Sequence, residues 1–292
     1  MKVFKPQAPT IELNTAPEDD VDAWSPGTYQ VGAQRIDNDI IYEAQVETTD
    51  RPSEGVKKTP KSWLKMGYIN PRRAFNDGVD SLTKGTGTLR FELRFDELAD
   101  GLALLNMYGV SATVWVVDDI DGTVYEKTVE ITDYLTDNWY DHWFAPYETQ
   151  PDHVFDDLPP YIGAKIVIEI NGSDENDPVA IGRIAAGRII DLGGLQWGAE
   201  IGWLNASIYD RTGFNDLIYV PRRKVTTVDY KVSFRTREFD RIKRDMDAIN
   251  EPMVFIGSPL YGASVVYGVL RDARQILADL AWSDLSLDVE AF

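Results

Sequence analysis

The chain has 292 residues, of which 43% are hydrophobic and 11% aromatic, enough for a packed core in two domains or in one domain with a small module and an arm. The formal net charge of −19 predicts repulsion from nucleic acid and anionic membranes, so neither is an expected partner. The sequence contains no cysteine, which excludes disulfides, thiolate metal sites and a cysteine nucleophile.

Targeting signals are not evident in the sequence. The first residues lack the apolar stretch of a secretion signal, and no run approaches the roughly 18 apolar residues of a membrane-spanning helix. We therefore expect synthesis in the cytoplasm and no membrane insertion.

Residues 1–23 are predicted to form an extended arm. Pro6, Pro9 and Pro17 interrupt regular structure, no hydrophobic periodicity is visible, and an acidic cluster follows at 18–20. We expect the arm either to be solvated or to dock onto a neighbouring subunit.

Residues 24–68 are predicted to form a small module around spaced aromatic residues. The stretch 31–42 predicts a hairpin with its turn at 37–39, and 40–46 alternates as a β-strand does. The aromatic residues of this segment are Trp24, Tyr29, Tyr42 and Trp63.

Residues 69–195 are predicted to form an antiparallel β-sandwich of jelly-roll type. At 88–95, four apolar residues alternate with charged ones, as expected for a half-buried strand. A short helical turn is expected at 102–108. Further strands are predicted at 110–117, 123–131, 165–170 and 179–184.

Residues 196–292 are predicted to form a C-terminal β-rich domain with one helix. Strands are expected at 224–234, 253–256 and 264–270. Apolar residues spaced by three and four residues predict an amphipathic helix over 237–249. The expected fold class is therefore mainly β, with a small three-stranded module, an antiparallel β-sandwich and this C-terminal domain.

The aromatic module allows two interpretations. Flat aromatic rings on a small sheet suit the C–H faces of sugar rings, which predicts a glycan-binding role for Trp24, Tyr29, Tyr42 and Trp63. Equally, a module of about 45 residues buries little area, so the same rings are expected to form its core.

The same spacing carries a first resemblance to a known family. The tryptophan, the Tyr-x-x-Gly step, the Tyr-x-Ala strand and the closing tryptophan resemble small three-stranded chitin- and cellulose-binding modules. The matching positions are Trp24, Tyr29, Gly32, Tyr42, Ala44 and Trp63. This resemblance implies binding of host surface glycan.

A second resemblance covers about 200 residues. The motif W-L-K-M-G-Y-I-N-P-R-R-A-F-N-D at 63–77, a jelly-roll-like strand series and the segments 181–187, 207–214 and 220–223 resemble a recurrent virion protein of tailed bacteriophages. The resemblance implies a tail-tip, baseplate or fibre-attachment role without catalysis. The implied partners are other tail and baseplate proteins and further copies of the chain, and the implied location is the virion tail. The alternatives are a carbohydrate-binding adhesin and a polysaccharide-degrading enzyme.

No catalytic residue, metal site or cofactor is predicted. The acidic segments 118–122 and 171–177 are expected to be turns, although their oxygens also suit calcium. His142 and His153, the two histidines, match no catalytic or metal-binding spacing. Basic clusters at 222–224 and 241–244 are expected to pair either within the chain or with an acidic neighbouring subunit.

Overall fold

The computed structural model describes residues 1–76, 78–133, 148–205, 207–211, 217–222, 224–258 and 262–292. It confirms a mainly β protein in which antiparallel strands form several sheets and helices are few. No helix within these ranges is long and apolar enough to cross a membrane. The described helices are α1 (Pro52–Gly55), α2 (Phe239–Asp247) and the 3-10 segments Asn70–Phe75, Thr236–Glu238 and Gly262–Ser264.

Sheet A has eight strands and draws on both ends of the chain. Strands are numbered in chain order. In spatial order, sheet A contains β17 (Ile189–Asp191), β1 (Lys2–Phe4), β23 (Met253–Ile256), β24 (Val265–Ile276), β25 (Trp282–Ala291) and β22 (Lys224–Arg235), with β18 (Gly194–Leu195) and β19 (Glu200–Asn205) both on the far side of β22.

Sheets B and C are formed mainly by the middle of the chain, with one strand of sheet B from its start. Sheet B contains, in order, β10 (Gly122–Glu130), β9 (Ser111–Asp118), β14 (Lys165–Asn171), β7 (Thr88–Arg94) and β2 (Thr10–Asn14). Sheet C contains β13 (His153–Phe155), β8 (Gly101–Leu105) and β16 (Arg183–Gly187).

The remaining strands form smaller sheets. Sheet D, the three-stranded sheet of the aromatic module, contains β3 (Gln34–Asp37), β4 (Ile40–Ala44) and β5 (Trp63–Tyr68). The strand pairs are β6 (Thr83–Thr86) with β15 (Pro178–Ile181), β11 (Thr132–Asp133) with β12 (Glu148–Thr149), and β20 (Ile208–Arg211) with β21 (Leu217–Val220).

Sheet C is the central layer of the molecule. In β8, Leu102 and Leu104 pack into the core shared with sheet B, whereas Ala103 and Leu105 pack against sheet A. The other face of sheet A is covered by α2, whose Ile242 has no exposed surface. The layers therefore follow the order sheet B, sheet C, sheet A and α2.

The burial of β8 on both faces corrects one expectation. A helical turn was expected at 102–108, but 101–105 is a strand in which every residue is buried. A strand covered on both sides does not alternate between apolar and polar residues, so its pattern lacks the period of two. Neighbouring layers, rather than local sequence, make this segment a strand.

β1 links sheet A to two cores at once. Val3 lies in the core beneath α2 and Phe4 in the core between sheets A and C, and neither has exposed surface. The chain passes close to sheet C here, because a Cβ added to Gly187 would lie only 2.1 Å from the carbonyl oxygen of Lys5. A glycine is therefore required at that position.

Residues 1–23 are extended, but they pair within their own chain. β1 lies between β17 and β23, and β2 pairs with β7. Glu12 on β2 also forms ion pairs with Arg94 and Lys165, at 2.5 and 3.2 Å. This placement corrects the expectation of an arm that is solvated or docked on a neighbour. The division into 1–23, 24–68, 69–195 and 196–292 stays a prediction, and sheet A draws on three of these ranges.

The helix expected at 237–249 is α2, preceded by a 3-10 turn. Its apolar face packs on sheet A, while its polar face carries ion pairs within one helical turn. Arg241 pairs with Glu238 at 2.7 Å and with Asp245 at 3.1 Å, and Lys243 pairs with Asp247 at 2.9 Å. This part of the basic cluster therefore pairs within the chain.

We predict that Phe4→Ala lowers the free energy of unfolding by about 3–5 kcal/mol, because it opens a cavity between two packed layers. Leu13→Ala on the neighbouring β2 is the control, since Leu13 is 40% exposed, and it is expected to cost much less. Urea unfolding measures both variants. Equal losses would contradict the linking role of β1.

Candidate functional site

Sheet D begins with a tight hairpin. β3 and β4 pair from Gln34–Glu43 to Asp37–Ile40, which leaves two residues in the turn. These residues, Asn38 and Asp39, have φ of 53° and 62°, a conformation that short polar side chains tolerate. The hairpin aligns β4 with β5, which brings Tyr42 and Trp63 onto one small sheet.

Three of the four predicted glycan-binding residues are buried. Trp63 has no exposed surface, and Tyr42 and Tyr29 are 5% and 8% exposed. Together with Ala44 they form the core of the module. A sugar ring needs an exposed aromatic face, so these three rings offer no platform in this structure. Their arrangement is the one that the core interpretation predicts.

The polar ends of the buried rings also have partners inside the module. The Trp63 indole Nε1 donates to the carbonyl oxygen of Asp50 at 3.0 Å, and the Tyr29 hydroxyl donates to that of Ser25 at 2.6 Å. The Tyr29 and Trp63 rings meet edge to face, with centroids 5.6 Å apart. These contacts fix the rings as packing groups.

Trp24 differs from the other three because the residue as a whole is only partly buried. The Arg51 guanidinium carbon lies 5.7 Å from the centroid of that ring. Its indole Nε1 is buried without a hydrogen-bond partner. Trp24 is therefore the one of the four that is not fully buried, and a glycan site there stays a prediction.

A buried carboxylate ties the hairpin to α1. The Arg51 guanidinium donates to both oxygens of Asp37, with its shortest contact at 2.7 Å, and the Ser53 backbone N–H donates at 3.2 Å. Hydrogen bonds from Arg51 and Ser53 lower the pKa of Asp37 from 3.8 to about 2. Asp37 therefore remains ionised and holds the loop before α1 against β3.

The motif at 63–77 forms a joint between segments. The Asn70 amide nitrogen donates to the carbonyl oxygens of Pro17 and Lys84, and its side-chain oxygen accepts from the Lys84 N–H, each at 2.8 Å. Asn70 thus connects the N-terminal segment, the 3-10 turn and β6. The described part of this motif therefore has a structural role, because Asn70 holds three backbone segments together.

The acidic segments are built as turns. The Asp118 carboxylate accepts from the backbone N–H groups of Ile120 and Asp121, which closes the β9–β10 hairpin. In the second loop, the Asp174 carboxylate accepts from the N–H groups of Asn176 and Asp177. No group of three metal-binding side chains occurs among the described residues.

His153 is the histidine that lies among the described residues. His153 lies on β13, and burial lowers its pKa. His142 lies outside the described residues.

Many exposed apolar side chains lie elsewhere, on and beside distal sheet A, which we define as β19, β22, β25 and residues 269–276 of β24. More than half of the large exposed apolar side chains in the described residues fall after residue 195. Trp197 in the β18–β19 turn is 95% exposed, Trp203 on β19 is 69% exposed, and Leu280 in the β24–β25 turn is fully exposed. Apolar side chains that are exposed together mark interaction surfaces in soluble proteins, and here Ile201, Trp203 and Phe292 line one cavity.

The face of distal sheet A opposite α2 is charged. Glu200, Asp229, Asp288 and Asp272 stand directly opposite one another across β19, β22, β25 and β24. Like charges opposite each other destabilise a sheet. Nearby cations offset this cost, since Lys231 lies 3.5 Å from Glu200 and Arg274 lies 2.9 Å from Asp272.

Sequence analysis missed this region because its signal is not local. The strand prediction at 224–234 identified one apolar and one polar face. It did not show that β19 and β24 flank the pair formed by β22 and β25. Nor did it show that the core between sheets A and C contains no residue of distal sheet A. The one local sign was the stretch 197–204, which places tryptophan and leucine on both faces of a short strand.

We predict that Trp63→Ala unfolds the module locally, because a large void replaces the central ring, at a cost of about 3–5 kcal/mol. Limited proteolysis is expected to cut within residues 24–68. The control is Met66→Ala on the same strand, because Met66 is 52% exposed. Similar protection of both variants would contradict the assignment of Trp63 to the core.

We also predict a specific acid sensitivity from Asp37. Its folded-state pKa of about 2 lies below the ordinary 3.8, so its stabilising effect is present above about pH 4 and is lost as the pH falls towards 2. In thermal unfolding, Asp37→Asn is expected to be less stable than the wild type at pH 7, with the difference shrinking at pH 2.5.

The control for this pair is Asp22→Asn, because Asp22 is exposed and lies 3.9 Å from Arg35. It is expected to change little at either pH. An Asp37→Asn deficit that does not depend on pH would refute the ion-pair explanation.

Comparison with known proteins adds no family to this description: no family model, no curated protein and no solved structure matches the chain.

Proposed function

We propose that this chain is a non-catalytic structural component of a tailed-phage particle, located at the tail tip, the baseplate or a fibre-attachment site. In this role it assembles as a symmetric oligomer beside other tail and baseplate proteins. The observation that carries the proposal is that more than half of the large exposed apolar side chains in the described residues fall after residue 195, on and beside distal sheet A. Exposed apolar surface of this extent is expected to be covered in an assembly.

The type of particle rests on the motif resemblance. Within the described part of the motif, 63–76, Asn70 positions backbone, as expected for a protein without catalysis. The layered sheets also suit an assembly component, because rigid layers hold a docking surface in a fixed orientation.

Contact with host surface glycan is a secondary part of the proposal. Trp24 supports it, because this residue is only partly buried and its ring lies beside the Arg51 guanidinium. The alternative of a dedicated carbohydrate-binding adhesin has less support, because Tyr29, Tyr42 and Trp63 fill the module core.

The proposal predicts that the purified full chain forms a defined oligomer and that the protein is present in purified particles. Sedimentation velocity over a range of concentrations measures the first, and mass spectrometry of gradient-purified phage measures the second. A chain that remains monomeric at tens of micromolar and is missing from particles would refute the proposal.

The glycan part is tested separately by retention on host cell-wall polysaccharide. Trp24→Ala is expected to lose retention while keeping the oligomer. Val31→Ala is the matched control in the same module, because Val31 is 67% exposed and lies outside the module core. Unchanged retention of Trp24→Ala would reject glycan contact through this residue.

A further inference from the structure

Distal sheet A has two open edges on opposite sides. On one side, β19 pairs with β22, and no strand of the described chain pairs with its other edge. On the other side, β24 pairs with β23 only as far as Gly268, so residues 269–276 have a neighbour on the β25 side alone. Each open edge presents unpaired backbone N–H and C=O groups, which favour addition of another strand.

We propose that β19 of one copy pairs edge to edge with residues 269–276 of the next copy, so that sheet A continues from copy to copy in a closed ring. This inference rests on the proposed function, because it names the partner of the exposed distal surface as a second copy of the same chain. Three properties of the two edges support it.

The first property is strand direction. Each neighbouring pair among β24, β25, β22 and β19 is antiparallel. With four strands in alternating directions, the first and last run in opposite directions. A second copy in the same orientation therefore places its β24 antiparallel to β19, and sheet A continues without a break in its pattern.

The second property is charge. Glu200 is the one charged residue of β19, and its side chain is 72% exposed. On β24, the Arg274 side chain is 77% exposed. Placing Glu200 opposite Arg274 creates an ion pair across the new edge. If β19 were shifted by two residues along β24 in one direction, Glu200 would instead lie opposite Asp272, which has the same charge. A shift of one residue would place the side chains of β19 on the opposite faces of the sheet.

The third property is the apolar pattern in that same register. β24 carries one extra residue between Leu270 and Asp272. With this bulge counted, the register that joins Glu200 to Arg274 also places Trp203 opposite Leu270 and Leu204 opposite Val269. Trp203, Leu204 and Val269 are exposed in the single chain. The edge contact would cover them on both faces of the sheet.

The two edges also differ in how they are protected. β24 has a bulge and several charges, which are features that prevent unspecific edge pairing. β19 has neither a bulge, nor a proline, nor a lysine. A two-fold contact between two β19 strands would leave both β24 edges open. The head-to-tail contact uses one edge of each kind, and a closed ring leaves neither open.

Disulfide trapping tests the inference directly, because the natural sequence contains no cysteine. The full chain with Glu200→Cys and Arg274→Cys is oxidised and separated on a non-reducing gel. Head-to-tail pairing predicts a ladder of covalent multimers that ends at the ring size. Each single variant is expected to stay uncrosslinked, and so is the control Glu200→Cys with Ile120→Cys, because Ile120 is 92% exposed in the β9–β10 turn of sheet B rather than on either edge of sheet A.

Charge exchange provides a second measurement that does not depend on trapping. Glu200→Arg and Arg274→Glu are each expected to weaken self-association by about two- to fivefold. The double variant, which restores the pair in reverse, is expected to regain most of the loss. Thermal unfolding of each variant shows whether the chain remains folded.

The outcomes separate this inference from the proposed function. If the wild type associates but the double cysteine variant gives no ladder and charge exchange gives no rescue, edge pairing is overturned and the assembly role stands. Crosslinked dimers from a single cysteine variant would overturn head-to-tail pairing in favour of a two-fold contact. A wild type that is monomeric and missing from particles would overturn both.

Discussion

The structure depends on the insertion of β1 between β17 and β23. This short strand completes sheet A at the point where sheet A packs on sheet C, and its two buried residues serve the cores on opposite faces. Val3 packs beneath α2 and Phe4 packs between the sheets. Without β1, the edges of β17 and β23 would lose their backbone partners, and both cores would lose contacts together. One strand near the start of the chain therefore couples the middle of the chain to its last 100 residues.

The two sides of sheet A differ in how they are covered, because β1 lies on one side of the sheet only. Around β1 and β23, sheet A is covered by sheet C on one side and by α2 on the other. Further along β24, β25 and β22, sheet C no longer covers the sheet, and the uncovered face carries Asp229, Asp272 and Asp288 with only partial compensation by cations. The proximal end is thus suited to packing within the chain. Distal sheet A instead keeps strand edges without a partner among the described residues, and tryptophans beside it remain exposed.

The aromatic module shows how one residue pattern serves a different purpose from the one its composition suggests. Four aromatic residues in 40 positions are typical of a sugar platform, but a sheet of three short strands has no other means of building a core. Trp63 and Tyr42 therefore form the core of the module. The ion pair between Asp37 and Arg51 holds the loop before α1 against β3. Trp24, which packs against this core, is only partly buried.

Local sequence determined the properties that depend on near neighbours. Alternation predicted β7, β9, β14 and β22, the spacing of apolar residues predicted α2, and turn-forming residues predicted the hairpins at 37–39 and 118–122. Only the tertiary structure decided which strands share a sheet, that 101–105 is a strand, and that residues 1–23 pair within their own chain. It also decided which aromatic rings are buried and which edges stay open. The physical reason is that burial and edge pairing are set by contacts between residues far apart in sequence, such as Val3 with Phe255 or Glu200 with Asp229, and no local periodicity records them.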